Sequence, residues 1–295
     1  MTENTKSLIQ AVAYDDMAKA KKIATLMLKE NKTKKDEYFC RSVLKKIQSE
    51  PTFIQLPPDI SNFAVMEDVS ETFIPERYFC SERERETLSI ITRMDKAGKL
   101  FDEKRIKYLN ATLLYGESGT GKTTFGKFIA YELNLPFLYL NFSQLISSLL
   151  GVTSKNLQKV FDFVKKQKCV FMIDEIDAIA TQRGQQNDTG ELSRIVISLI
   201  QALDCLNNGV ILVAATNRPD VIDSAVIRRF RYCHDVRKLE QKESIDFCVK
   251  YLKSCGYDVS EKEASKIVGN TRKPSEIENV IINFIASEEI KKGNL

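Results

Sequence analysis

A single histidine, His234, stands in the 295-residue chain, and with neither an HExxH pattern nor a serine-elbow motif no protease centre is encoded. Cysteine is equally uninformative as a framework. Seven are present, at positions 40, 80, 169, 205, 233, 248 and 255, an odd number with no CxxC pair. That pattern excludes a disulfide-stapled scaffold and gives no zinc-ligand spacing. Cys169 lies in an apolar run and reads as a packing residue. No apolar run approaches the roughly 20 residues that a membrane-spanning helix requires. The opening MTENTKSLIQ lacks a basic start, an apolar stretch and a small-residue cleavage site. The expectation is a cytoplasmic protein with no membrane partner. Neither sign of charge dominates: 44 Lys and Arg face 40 Asp and Glu, a net +4 too small to argue for nucleic acid as the partner on its own. Lys19, Lys21, Lys22, Lys29, Lys32, Lys34 and Lys35 form the one candidate basic cluster, and they read as a solvated helix face. Internal repeats and low-complexity tracts are absent.

Hydrophobic spacing divides the chain into parts. Leu8, Ile9 and Val12 share a helical face, as do Ala20, Ile23, Ala24, Met27 and Leu28, and then Phe39, Val43, Leu44 and Ile47. These predict a small helical unit over 1–50, which would bind a substrate or partner. Pro51, Pro57 and Pro58 discourage helix and mark a linker over 51–65. An amphipathic helix then carries Leu88, Ile91 and Met94. After it, apolar runs at Ala111–Tyr115, Phe137–Asn141, Cys169–Asp174 and Gly209–Thr216 alternate with helical segments. Strands this apolar, separated by helices, predict an α/β core over 66–238 with a parallel sheet covered on both faces. Beyond it the spacing is helical only, through Ile245, Val249 and Leu252 and then Ile277, Val280, Ile281 and Phe284, so 239–295 reads as a helical lid.

The strongest chemical signal is the run Gly116, Glu117, Ser118, Gly119, Thr120, Gly121, Lys122, Thr123, followed by Thr124. It satisfies GxxxxGK[ST] directly after a strand-like run and directly before a helical one. Glycines at 116, 119 and 121 let the backbone turn and aim its N–H groups at phosphate oxygens, and the next helix offers its positive end. Lys122 is expected to reach the β and γ phosphates, and the Thr123 hydroxyl to coordinate Mg²⁺. Downstream, Cys169-Val-Phe-Met-Ile-Asp174-Glu175 sets an acidic pair at the C-terminal edge of a buried strand, where parallel sheets present ligands. Asp174 is expected to hold Mg²⁺ through water, and Glu175 to orient or deprotonate the attacking water.

The stretches DEIDAIATQRG from Asp174 and AATNRPDVIDSAVIRRF from Ala214 resemble the AAA family of ATPases, and the likeness covers about residues 65 to 290. The resemblance implies a phosphate-loop NTPase core with sheet order 5-1-4-3-2. It also implies ATP and Mg²⁺ as ligands, hydrolysis of ATP to ADP and phosphate, and assembly into a homo-oligomer, in the family a hexamer. It gives Asn217 the role of γ-phosphate sensor. Arg228 becomes a finger reaching the neighbour's site, with Arg229 as a second finger or Arg231 in its place. The arrangement is similar to single-ring bacterial AAA proteins, some of which act with a partner protease. The implied function is remodelling or unfolding of a protein substrate. An ATP-dependent switch or adaptor, or a DNA-directed ATPase, is the alternative.

Three stretches depart from the family pattern. Ser148-Leu149-Leu150-Gly151 stands where relatives carry an aromatic pore residue, so Leu149 is either an apolar pore grip or a core residue. Arg272-Lys273-Pro274-Ser275-Glu276 replaces the usual Ser-Gly-Ala-Asp at the start of the last helix, leaving Arg272 or Lys273 as a lid sensor or as an exposed pair. Val69-Ser-Glu-Thr-Phe-Ile-Pro-Glu76 stands where relatives line the adenine pocket, with only loose likeness.

Overall fold

The computed structural model describes residues 3–13, 17–30, 56–147, 153–178, 189–207 and 209–292. The chain divides into two units, Met1–Ile54 and Gln55–Leu295. In the first, helices α1 (Glu3–Ala13) and α2 (Met17–Glu30) pack on one another. In α1 Ala11 is buried, and Ile9, one of the residues of the predicted apolar face, is 54% exposed. The third helical pattern, around Phe39 to Ile47, lies outside the described residues, as do Lys32, Lys34 and Lys35.

The second unit is built on a six-stranded sheet: β1 (Ala64–Glu67), β2 (Asn110–Tyr115), β3 (Phe137–Asn141), β4 (Cys169–Asp174), β5 (Val210–Thr216) and β6 (Tyr232–Asp235). Its order is β1-β3-β4-β5-β2-β6. All neighbours from β3 to β6 pair in parallel, and β1 alone is antiparallel, with Ala64 opposite Leu140. Numbered by themselves, the five parallel strands run 5-1-4-3-2, the order that the family resemblance implies. The antiparallel edge is an addition. It falls at the end of the stretch read as linker, where Ile60, Phe63 and Ala64 are already buried in the core.

Two apolar layers explain why the inner strands carry almost no polar residue. Along β4, Cys169, Phe171 and Ile173 enter one cluster, while Val170 and Met172 enter the other. Alternate residues of a strand face opposite sides, so a strand covered on both needs apolar side chains throughout. One face is covered by α4 (Glu82–Glu103, between the short α3, Val69–Thr72, and β2) and α5 (Lys122–Leu133), through Ile91, Phe125 and Ile129. The other is covered by α6 (Phe142–Ser147), α7 (Thr153–Val164) and α8 (Thr189–Asp204), through Leu145, Leu157, Phe161, Ile195 and Leu199. A capping box between Ser81 and Glu84 fixes the start of α4.

The short α9 (Ser224–Ile227) precedes β6, and three helices follow it: α10 (Gln241–Ser254), α11 (Glu261–Val268) and α12 (Pro274–Lys291). They enclose a separate small core of Phe247, Leu252, Val268, Ile277 and Ile281. Each fully buried large side chain there contributes ~1.5–3 kcal/mol to holding the three helices together. Pro274 opens α12, where its missing N–H costs nothing.

Candidate nucleotide site

The loop between β2 and α5 stands at the C-terminal edge of the sheet. Gly121 caps α5 with φ +98°, and the space where its Cβ would stand is open to 4 Å. An L residue is strained at that φ, and glycine leaves the first N–H groups of the helix uncovered. Gly119, at φ +81°, shares that requirement, and a Cβ there would also overlap the Ser275 hydroxyl of α12. The loop is thus open at Gly121 and in contact with the lid at Gly119.

Lys122 is 8% exposed, and its ammonium is fully engaged. Nζ donates to the carbonyls of Gly116 and Glu117, each at 2.8 Å, and to Asn217 Oδ1 at 2.7 Å. An ammonium has three donors, and all three are used, which is what makes its burial tolerable. Burial holds its pKa below the usual lysine value, against the pull of Asp174 and then Asp177. Asn217, just beyond the end of β5, is thereby tied directly to the loop lysine across 95 positions of sequence.

Asp174 ends β4 in register with Asn141. Its Oδ2 accepts from the Thr123 hydroxyl at 2.7 Å and from the Tyr139 hydroxyl at 3.3 Å. Tyr139 is pushed up to about 12 by burial and by the neighbouring Asp174, so its hydroxyl keeps its proton and donates it to Asp174. The next residue, Glu175, is exposed and left-handed, at φ +56°. That conformation costs a non-glycine residue roughly 1–3 kcal/mol and is held by its surroundings. Glu175 N–H donates to Asp174 Oδ1 at 2.9 Å, and Ile176 N–H donates to the Ala215 carbonyl at 3.1 Å. The chain turns back onto β5 immediately, and Glu175 is left lining the same cavity as Lys122, Thr123 and Asp174.

This cavity, of about 510 Å³, runs from Ser118–Thr124 past Arg77, Tyr78 and Phe79 to the lid residues Phe247, Pro274 and Ser275. Gly116 and Glu117 are not among the described residues that line it. The donor set nearest the loop consists of oxygens, one hydroxyl and one carboxylate in direct contact. That fits a hard cation such as Mg²⁺, which keeps several waters and takes few protein ligands. Among the described residues no group of three or more His, Cys, Asp and Glu forms a dedicated metal cage.

Comparison with known proteins bears on the same region. The profile of the "ATPase family associated with various cellular activities (AAA)" matches residues 112–237, from β2 to just past β6. The chain is 30% identical over 238 residues to an uncharacterized AAA family ATPase, y4kL, of Sinorhizobium fredii, covering 77% of this chain and 71% of that protein. The chain belongs to the AAA family of ATPases. It is also 32% identical over 212 residues to the peroxisomal ATPase PEX6 of Candida glabrata, covering 70% of this chain but 20% of that protein. To the proteasome-activating nucleotidase of Methanococcus maripaludis it is 37% identical over 142 residues, 46% of this chain and 35% of that protein. As an AAA ATPase it binds and hydrolyses ATP. No helix of the described residues is long and apolar enough to cross a membrane.

In this AAA ATPase the three candidate finger arginines have different surroundings. Arg229 makes a two-pronged pair with Asp204 at the end of α8, Nε to Oδ1 at 3.2 Å and an Nη to Oδ2 at 2.9 Å, and its other Nη donates to the Ala225 carbonyl at 2.9 Å. Arg231 stacks over the Tyr108 ring at 5.1 Å, and its N–H donates to the Ala111 carbonyl. Arg228 is exposed, and its guanidinium has no partner among the described residues. None of the three lines the cavity of its own chain. Sequence reasoning did not foresee Asp204, which lies 25 positions from Arg229, nor Tyr139. Leu149, Leu150 and Gly151 lie outside the described residues.

Proposed function

We propose that Gly116 to Thr124 hold Mg-ATP, that Glu175 activates water on it, and that Arg228 completes the site of a neighbouring copy, so that the protein works as a ring, in the family manner a hexamer. The observation that carries this reading is the position of Arg228: exposed, unpartnered among the described residues and outside its own chain's cavity. Thr123 and, through water, Asp174 would hold Mg²⁺, whose charge offsets that developing on the phosphate oxygens. The protein's own groups divide the remaining work. Loop N–H groups and Lys122 bind the phosphates, Asn217 orients Lys122 and senses the terminal phosphate, and Glu175 receives the proton of the attacking water.

The ring is proposed to remodel or unfold a protein held by the N-terminal helices or by a central pore. One relative supports a protein-directed role by name, the proteasome-activating nucleotidase. A cytoplasmic address and a protein partner, a protease included, are part of the same proposal. One feature favours a second reading, an ATP-dependent switch or adaptor that threads nothing: the pore stretch has Leu149 where an aromatic grip is expected, and leucine cannot stack on a substrate backbone. Replacing Leu149 with Asp separates the two. Threading predicts that unfolding of a tagged, fluorescent substrate is lost while ATP turnover stays within about twofold of the parent. Unchanged substrate processing would count against a pore grip and favour the switch.

A further inference from the structure

Glu117 joins the phosphate loop to the helical lid at two points. Oε1 lies 2.7 Å from Lys238 Nζ, and Oε2 lies 3.1 Å from Lys273 Nζ. The two lysines flank the first two helices of the lid. Lys238 is in the segment that leaves β6 for α10, and Lys273 is the N-cap of α12. Main chains meet at the same place: Ser275 N–H donates to the Gly119 carbonyl at 3.3 Å, and Leu239 N–H donates to the Arg272 carbonyl at 2.9 Å. Lys238 first, and then Lys273, hold the Glu117 carboxyl below the usual glutamate range. Lys273 is therefore engaged with a carboxylate; neither it nor Glu117 is among the described residues that line the cavity, whereas Lys238 is.

The lid contributes Phe247, Pro274, Ser275 and Glu278 to the cavity wall, so any separation of lid and loop opens the cavity. A single exposed ion pair does little for stability. Here one carboxylate takes both cations, and each cation sits where the lid meets the loop, so the pairs act on lid opening more than on folding. We propose that Glu117 is a positioning residue that latches the lid onto the phosphate loop through Lys238 and Lys273 and slows release of the nucleoside diphosphate. The proposal rests on the nucleotide reading given above.

The test is the rate at which a fluorescent ADP analogue leaves the full-length chain, measured by stopped flow with excess unlabelled ADP. Glu117→Gln breaks both pairs and keeps the shape of the side chain; the expected release is about threefold to tenfold faster than the parent. Lys238→Met with Lys273→Met removes the same pairs from the other side and should give the same rate, and all three substitutions together should be no faster than either set alone. Release from the parent should quicken as salt rises from about 0.05 to 0.5 M, and release from Glu117→Gln should stay flat. Parent-like release from Glu117→Gln overturns the latch, and so do effects that multiply in the triple variant, because the lysines would then be acting on the nucleotide directly. A parent chain that does not bind the analogue overturns the nucleotide reading and the latch with it, which distinguishes the two failures.

Discussion

Replacing Glu175 with glutamine is expected to lower ATP turnover by at least about 10²-fold while leaving ATP bound, measured as phosphate release beside binding of a labelled nucleotide. The amide keeps the size of the side chain and removes its ability to take a proton. Nothing that holds the loop depends on that carboxylate: Lys122 is fixed by Gly116, Glu117 and Asn217, and Thr123 by Asp174. Lys122→Ala is the counterpart, and it should abolish nucleotide binding. It removes the one buried cation of the loop and leaves two main-chain carbonyls facing the place where phosphate oxygens would come. A Glu175→Gln protein with parental turnover would falsify the assignment of the base. Loss of binding in that variant would instead mean that Glu175 maintains the left-handed turn into β5.

Arg228→Ala carries the second large effect. A finger arginine stabilises the transferring phosphoryl group by about 10³–10⁵ in rate where it has been measured in phosphate-loop enzymes. A loss of that order is expected in the assembled protein, with nucleotide affinity of the dilute subunit unchanged. Arg229→Ala should act differently, because Arg229 is bound to Asp204 and to the Ala225 carbonyl. Its loss would loosen α9 from α8 and reduce turnover only through the placement of Arg228. Mixing makes the prediction sharper. Arg228→Ala subunits retain Glu175, and Glu175→Gln subunits retain Arg228, so the mixture should regain turnover that neither variant has alone. Two inactive proteins that stay inactive when co-assembled would place Arg228 outside the neighbour's site.

The parts of the site that were legible in the sequence are those whose chemistry is local. A glycine-rich turn between strand and helix, and an acidic pair at the end of an apolar strand, need only a few adjacent residues, and Lys122, Thr123, Asp174 and Glu175 do line one cavity. The five-strand parallel order was accessible only through the family likeness, because β6, Tyr232–Asp235, is short and has an exposed cysteine in its middle. β1 gave no signal for a similar reason: of its four residues at a sheet edge only Ala64 is buried, and register against β3, not apolar alternation, defines it. The arginines show the same limit more clearly. Arg228 and Arg229 are adjacent and chemically identical in the sequence, and they differ because Asp204 of a distant helix reaches only one of them. Lys273 likewise reads from the sequence as an exposed cation or a sensor, and the structure pairs it with Glu117.

The central claim is that one subunit's site is finished by its neighbour. ATP turnover per subunit, followed from dilute to concentrated protein at fixed Mg-ATP with mass measured on the same samples, tests it most directly. The account predicts turnover that rises steeply over the concentrations at which the mass rises to that of a ring. Full turnover from samples whose mass is that of a single chain would contradict it.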